Sequence, residues 1–155
     1  MMDFEAARTK MVDNQIRTTD VTSHSVLQAF LSVPREEFVP AKLKPIAYID
    51  EDLEIAPGRY LMEASPLAKL LQLARIGKDD LALEVGCGTG YAAGLLSQLA
   101  GSVVSVEADE QLCSQAVEIL SRLGYDNVAV VHGEMEKGYP NEAPYDIIFV
   151  NGAVE

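Results

Sequence analysis

The chain has 155 residues, a formal charge of −12 and 48% hydrophobic residues, enough apolar material to bury a core. No stretch approaches the roughly twenty apolar residues a membrane helix requires, and Met1-Met2-Asp3-Phe4-Glu5 lacks the basic-then-apolar layout of a signal peptide. Past Asp80 only Arg122 and Lys137 are basic, against eleven acids, a poor surface for phosphate-rich nucleic acid. The expectation is a cytoplasmic protein with no nucleic-acid or membrane partner.

In chain order, Phe4, Ala7, Met11 and Val12 fall near helical spacing up to about Gln15. Asp20 or Thr22 then offers a cap for a second helix, about Ser23 to Ser32, with Val26, Leu27, Phe30 and Leu31 on one face. Pro34 stops that helix. A turn with Phe38 and Val39 as buried anchors leads to a short helix near Ala41 to Ala47. Tyr48 to Leu61 reads as loop with one short strand and a solvated acidic cluster of Asp50, Glu51, Asp52 and Glu54. Ser65-Pro66 marks a helix start and Gly77 its end.

From Leu81 the pattern alternates. Strands are expected at about Leu81–Val85, Ser102–Val106, Val128–Val131 and Tyr145–Val150, with helices at about Tyr91–Ala100 and Gln111–Leu123 between the first three. The last strand is almost wholly apolar, as for a strand covered on both faces. This predicts an α/β, doubly wound, Rossmann-like fold of which strands one to four form a partial sheet, preceded by an N-terminal helical segment. The division expected is residues 1–57 for that segment and 58–155 for the first part of the Rossmann-like domain. The fourth strand would be an exposed apolar edge, the mark of a truncated chain or of a second copy pairing there.

The chemistry centres on Glu84-Val85-Gly86-Cys87-Gly88-Thr89-Gly90-Tyr91, at the junction of strand and helix. The glycines admit backbone close to a ligand, and the helix that follows offers unpaired N–H groups. A dinucleotide fingerprint requires Gly or Ala where Tyr91 stands. A P-loop requires a lysine, and none lies between Lys78 and Lys137. Glu84 would repel a pyrophosphate but suits a ligand bearing an ammonium and a sulfonium, as S-adenosyl-L-methionine does. Glu107 closes the second strand, where such a fold places an acceptor for ribose hydroxyls. Glu134, after the third strand, stands on the same rim and could accept from an adenine amino group. Tyr91 could cover the methionine end of the cofactor or pack on a helix. Cys87 lies within the turn. Neither Cys87 with Cys113 nor His24 with His132 has metal-site spacing, so no metal is expected.

Several blocks carry a more specific likeness. Met11-Val12-Asp13-Asn14-Gln15-Ile16-Arg17, Val33-Pro34-Arg35-Glu36-Glu37-Phe38-Val39-Pro40, Ala47-Tyr48-Ile49-Asp50 and Tyr139-Pro140-Asn141-Glu142-Ala143-Pro144-Tyr145-Asp146 resemble the protein-L-isoaspartate O-methyltransferase family in order and spacing. The resemblance implies a seven-stranded parent methyltransferase fold, S-adenosyl-L-methionine as cofactor, and methyl transfer to a carboxylate of isoaspartyl protein. It carries cofactor binding over to Glu84, Gly86, Gly88, Gly90 and Glu107, with Glu134 where the family usually has Asp. Its Gln-Thr-Ile-Ser-x-Pro segment, whose serine meets the substrate carboxylate, corresponds here to Arg59-Tyr60-Leu61-Met62-Glu63-Ala64. A thioether at Met62 cannot donate a hydrogen bond; Arg59 offers a bidentate donor instead. Arg59, Tyr60 and Met62 are therefore the candidate substrate contacts. A class I methyltransferase with another acceptor, or a non-catalytic adenosylmethionine-binding module, are the alternatives.

Overall fold

The computed structural model describes residues 2–152. Its contacts divide the chain into two units with the boundary between Arg75 and Ile76.

The first unit opens with α1 (Phe4–Met11), capped by the Asp3 carboxylate, which accepts from the Ala6 amide at 3.0 Å. The expected single helix to Gln15 changes pitch instead, running on as a π-helix over Val12–Ile16 and a 3-10 turn over Arg17–Thr19. Met11, Val12 and Ile16 are all buried by this stretch. Asp20 ends it in the left-handed region at φ 67. Helix α2 (His24–Ser32) is capped by Ser23, whose Oγ accepts from Val26, not by Asp20 or Thr22. Of its expected face, Val26, Leu27 and Phe30 are buried and Leu31 is half-buried. Arg35–Phe38 and Ala41–Ile46 form 3-10 turns, the second carrying Pro45 inside it, which a regular α-helix would not accommodate.

Residues 48–61 hold two strands where one was expected. Strands β1 (Leu53–Ala56) and β2 (Arg59–Leu61) pair antiparallel around Gly58, at φ +71. This hairpin straddles residue 57, so a boundary there would cut it; hence the first unit extends past the expected limit. Helix α3 (Ala64–Ala74) follows. Ser65 is inside its first turn and does not cap it; its hydroxyl donates to Thr19 Oγ1 at 3.0 Å. Arg75, at φ 50, closes the helix before Gly77 is reached. Gln72 of α3 serves the entry to α2: its Oε1 accepts from the Thr22 and Ser23 amides, both at 2.8 Å.

The second unit is a parallel sheet of β3 (Leu81–Val85), β4 (Ser102–Glu107), β5 (Val128–His132) and β6 (Ile147–Val150), in the order β5-β4-β3-β6. Helices α4 (Tyr91–Leu99) and α5 (Glu110–Arg122) connect the first three strands. On one face Leu83, Val104 and Val106 form a buried cluster, flanked by Leu81, Val85, Val131, Tyr139 and Tyr145. Helix α5 buries Leu112, Cys113, Ala116, Ile119 and Leu120, the spacing of an amphipathic helix. Strand β6 pairs with β3 alone among the described residues, leaving Ile148 63% exposed. Among the described residues no helix is long and apolar enough to cross a membrane.

Candidate functional site

In the second unit, the carboxyl ends of β3 and β4 converge on the glycine turn. Gly86 donates to the Val106 carbonyl at 2.8 Å, so the turn springs from between the two strands. Gly86, Gly88 and Gly90 have φ of 83, 58 and 102, a run of left-handed positions that side chains with a Cβ resist. Gly90 starts α4, and a Cβ there would lie 3.1 Å from Leu120 Cδ1 of α5. The turn is therefore pressed between a strand end and a second helix.

Glu107 supports this turn directly. Its carboxylate accepts from the Gly88 amide at 2.8 Å and from the Asp109 amide at 2.9 Å. Glu107 is itself fully buried, so its carboxylate braces the turn from inside the fold. Asp109 in turn caps α5 by accepting from Leu112 at 3.0 Å. His132, at the end of β5, meets the Ala108 carbonyl through Nε2 at 3.0 Å. His132 was weighed in the sequence only as a metal ligand, and Asp109 was not singled out, although a cap residue at the start of an amphipathic helix is a readable signal.

Glu84 behaves differently from the expectation of a cofactor contact. It is fully buried, and its two oxygens accept from Ser105 Oγ at 2.8 Å and Asn151 Nδ2 at 3.1 Å. Burial pushes its carboxyl up to about 7, with the nearby Glu107 charge adding to the rise and the two hydrogen bonds opposing it. Both of its oxygens are thus engaged with neighbouring strands inside the fold. Tyr91 is also fully buried, which agrees with the packing role and leaves no ring surface to cover a cofactor. Cys87 is buried within the turn. Glu134 is exposed and pairs with Lys137 at 3.1 Å.

The first unit holds the other candidates. Arg59 pairs with Ala56 and Tyr60 with Glu54 across the hairpin; Tyr60 is exposed, Arg59 and Met62 half-buried. Arg35, fully buried, donates to the carbonyls of Ala47 at 2.7 Å and Met62 at 3.1 Å, fixing the end of β2 from behind. Asp52 accepts from the Glu63 amide at 2.7 Å. Glu63's carboxyl is pushed up by its hydrogen bond with Asp50, while Asp50, Glu51, Asp52 and Glu54 are all exposed, as a solvated face requires. Tyr48 donates to Glu36 and accepts from Arg8 Nε at 2.9 Å; burial pushes its phenol well above the ordinary range. Among the described residues no group of three His, Cys, Asp or Glu could hold a metal ion.

A family model for protein-L-isoaspartate(D-aspartate) O-methyltransferase matches residues 6–155. The chain belongs to that family. A Koribacter versatilis protein-L-isoaspartate O-methyltransferase is 40% identical over 151 residues, covering 97% of this chain and 68% of the relative. An Anaeromyxobacter enzyme called protein-L-isoaspartate O-methyltransferase 2 is 38% identical over 151 residues, covering 97% and 62%. A solved protein-L-isoaspartate O-methyltransferase superposes with a TM-score of 0.80 at 33% identity, over 92% of this chain and 47% of that one. A Plasmodium falciparum beta-aspartate methyltransferase, solved with S-adenosyl-L-homocysteine, shares the fold at a TM-score of 0.75 and 19% identity, over 97% and 73%. The chain thus spans about half of the first solved relative and under two thirds of the second sequence relative.

Proposed function

We propose that the protein is an S-adenosyl-L-methionine-dependent methyltransferase that esterifies the free carboxylate of isoaspartyl residues in damaged proteins. The observation that carries this reading is Glu107 accepting from Gly88 inside the three-glycine turn, in a chain matched by the family from residue 6 onward.

The residues fit the cofactor. The turn presents backbone without side chains at three positions, and an acid that accepts from that turn closes the neighbouring strand. Of the two basic residues after Asp80, Arg122 pairs with Glu118 on α5 and Lys137 with Glu134, so neither side chain is set to pair with a pyrophosphate. Gly86, Gly88, Gly90 and Glu107 would hold the adenosine portion, with Glu134 at the same rim. When bound, the cofactor supplies a methyl group on a sulfonium, ready for displacement by an oxygen nucleophile. A substrate carboxylate, with a pKa of about 4, is already ionised at neutral pH. No general base is therefore required, and the protein's task is alignment and exclusion of water.

On the substrate side, Arg59 is proposed as the carboxylate donor in place of the hydroxyl that Met62 lacks, with Tyr60 beside it. Arg35 holds Met62's backbone and so the end of that strand. Met62 and Arg59 also favour a second reading, a class I methyltransferase with another acceptor; a non-catalytic adenosylmethionine-binding module is the third. The setting proposed is the cytoplasm, and the edge of β6, which pairs with β3 alone among the described residues, is proposed as a route to self-association.

The test is methyl transfer by the full-length protein to paired isoaspartyl and aspartyl peptides. Transfer to the isoaspartyl peptide alone is expected, with Arg59→Ala lowering turnover. Equal transfer to both peptides, or to neither, would remove the isoaspartyl reading. Unchanged turnover in Arg59→Ala would remove Arg59 from the substrate site.

A further inference from the structure

Three chain segments meet where the glycine turn begins. Gly86 donates to Val106 at the end of β4, and Asn151, just past β6, donates its amide to the Val85 carbonyl at 3.0 Å. Beneath them lies Glu84, whose side chain joins the same three strands: it is on β3, and it accepts from Ser105 on β4 and Asn151 beyond β6. Both of these bonds are internal to the fold, and the carboxyl is shielded from solvent. Ligands of open α/β sheets bind outside the carboxyl ends of the strands, so this clamp sits directly under the cofactor site without opening into it.

We propose that Glu84 is a positioning residue for the cofactor site: its buried carboxyl ties Asn151 and Ser105 together, fixing the rim from which the glycine turn springs, and makes no contact with the cofactor itself. This rests on the methyltransferase reading above and deepens it. It departs from the simpler idea that an acid before the first glycine is there to meet the ligand's positive charge.

The clamp also responds to protonation. Ionised Glu84 accepts two charge-assisted hydrogen bonds, which are shorter and stronger than those of a neutral carboxyl. Burial holds its titration near neutrality, and Glu107 on β4 is the charged group that acts on it. Asn151 is gripped tightly above that range and less tightly below it. Cofactor affinity should therefore rise with pH through about 7, and the rise should travel through Asn151.

The experiment is calorimetric titration of the full-length protein with S-adenosyl-L-homocysteine across pH 6 to 8, for wild type, Glu84→Gln and Asn151→Ala. Wild type is expected to bind several-fold more tightly at the upper end, within the roughly 5- to 150-fold range typical of coupled sites. Glutamine keeps the shape and cannot titrate, so Glu84→Gln should bind within a few-fold of wild type with a flat pH profile. Asn151→Ala should also be flat, although Glu84 is intact. A pH step surviving in Asn151→Ala would overturn the proposal, because the charge would then be acting without Asn151. So would a large loss of affinity in Glu84→Gln at every pH, the signature of a direct charge contact. Absence of any wild-type binding would instead overturn the cofactor reading on which the proposal rests.

Discussion

Exchanging Glu84 for glutamine should make the protein more stable above neutrality and leave its stability nearly unchanged in acid. The carboxyl's folded value lies near 7 against an ordinary 4.5, chiefly because burial disfavours the ionised form. The folded state therefore keeps a proton that the unfolded chain has lost across that interval. For an acid raised in this way, stability is full below 4.5 and falls as pH climbs to about 7. At about 1.4 kcal/mol per pH unit, the interval corresponds to about 3 kcal/mol of wild-type stability lost by pH 8. Glutamine does not titrate and has nearly the same shape, so it escapes that loss. Urea denaturation of wild type and Glu84→Gln at about pH 4.5 and pH 8 measures it. The variant's advantage should grow by about 3 kcal/mol between the two conditions. Packing differences between Glu and Gln cancel in that comparison. An advantage that is the same at both pH values, or a variant less stable at pH 8, would refute the reasoning.

Glu107→Ala removes the acceptor of the Gly88 and Asp109 amides; losing two charge-assisted bonds should weaken adenosylhomocysteine binding by about 10- to 100-fold, read by calorimetry. Gly101→Ala would place a Cβ 2.6 Å from the Lys78 carbonyl, a backbone atom that cannot swing away, so a cost of about 1–3 kcal/mol is expected in thermal unfolding. Arg35→Met strips the buried donors from the Ala47 and Met62 carbonyls and should cost about 3 kcal/mol in urea denaturation. Tyr48→Phe, which removes the hydroxyl between Arg8 and Glu36, should cost about 1–2 kcal/mol by the same measurement.

The parallel sheet was legible because β3, β4 and β6 are apolar runs bounded by Gly, Pro and acids, and α5 shows its buried stripe directly. The glycine turn was legible because three alternating glycines have few other uses. Harder to see was the direction Glu84 faces. Side chains alternate across a strand, and the register pairs Glu84 with Ser105, the polar residue inside Val103-Val104-Ser105-Val106. A lone serine in that apolar run was the available signal, but it becomes informative only once β3 and β4 are aligned. The N-terminal unit was the least readable. Its turns are π and 3-10, set by Pro45 and by distant side chains such as Gln72 and Arg35 rather than by local periodicity. The second strand of the hairpin was hidden by its length of three residues.

The central claim is that the turn built by Gly86, Gly88 and Gly90 and held by Glu107 receives a sulfonium-bearing adenosine cofactor and not a phosphate-bearing one. Parallel calorimetric titrations with S-adenosyl-L-methionine and NAD test this most directly. Saturable one-site binding of adenosylmethionine, abolished or much weakened in Glu107→Ala, with no heat from NAD, is the predicted result. Binding of NAD at that turn, or adenosylmethionine affinity indifferent to Glu107, would contradict it.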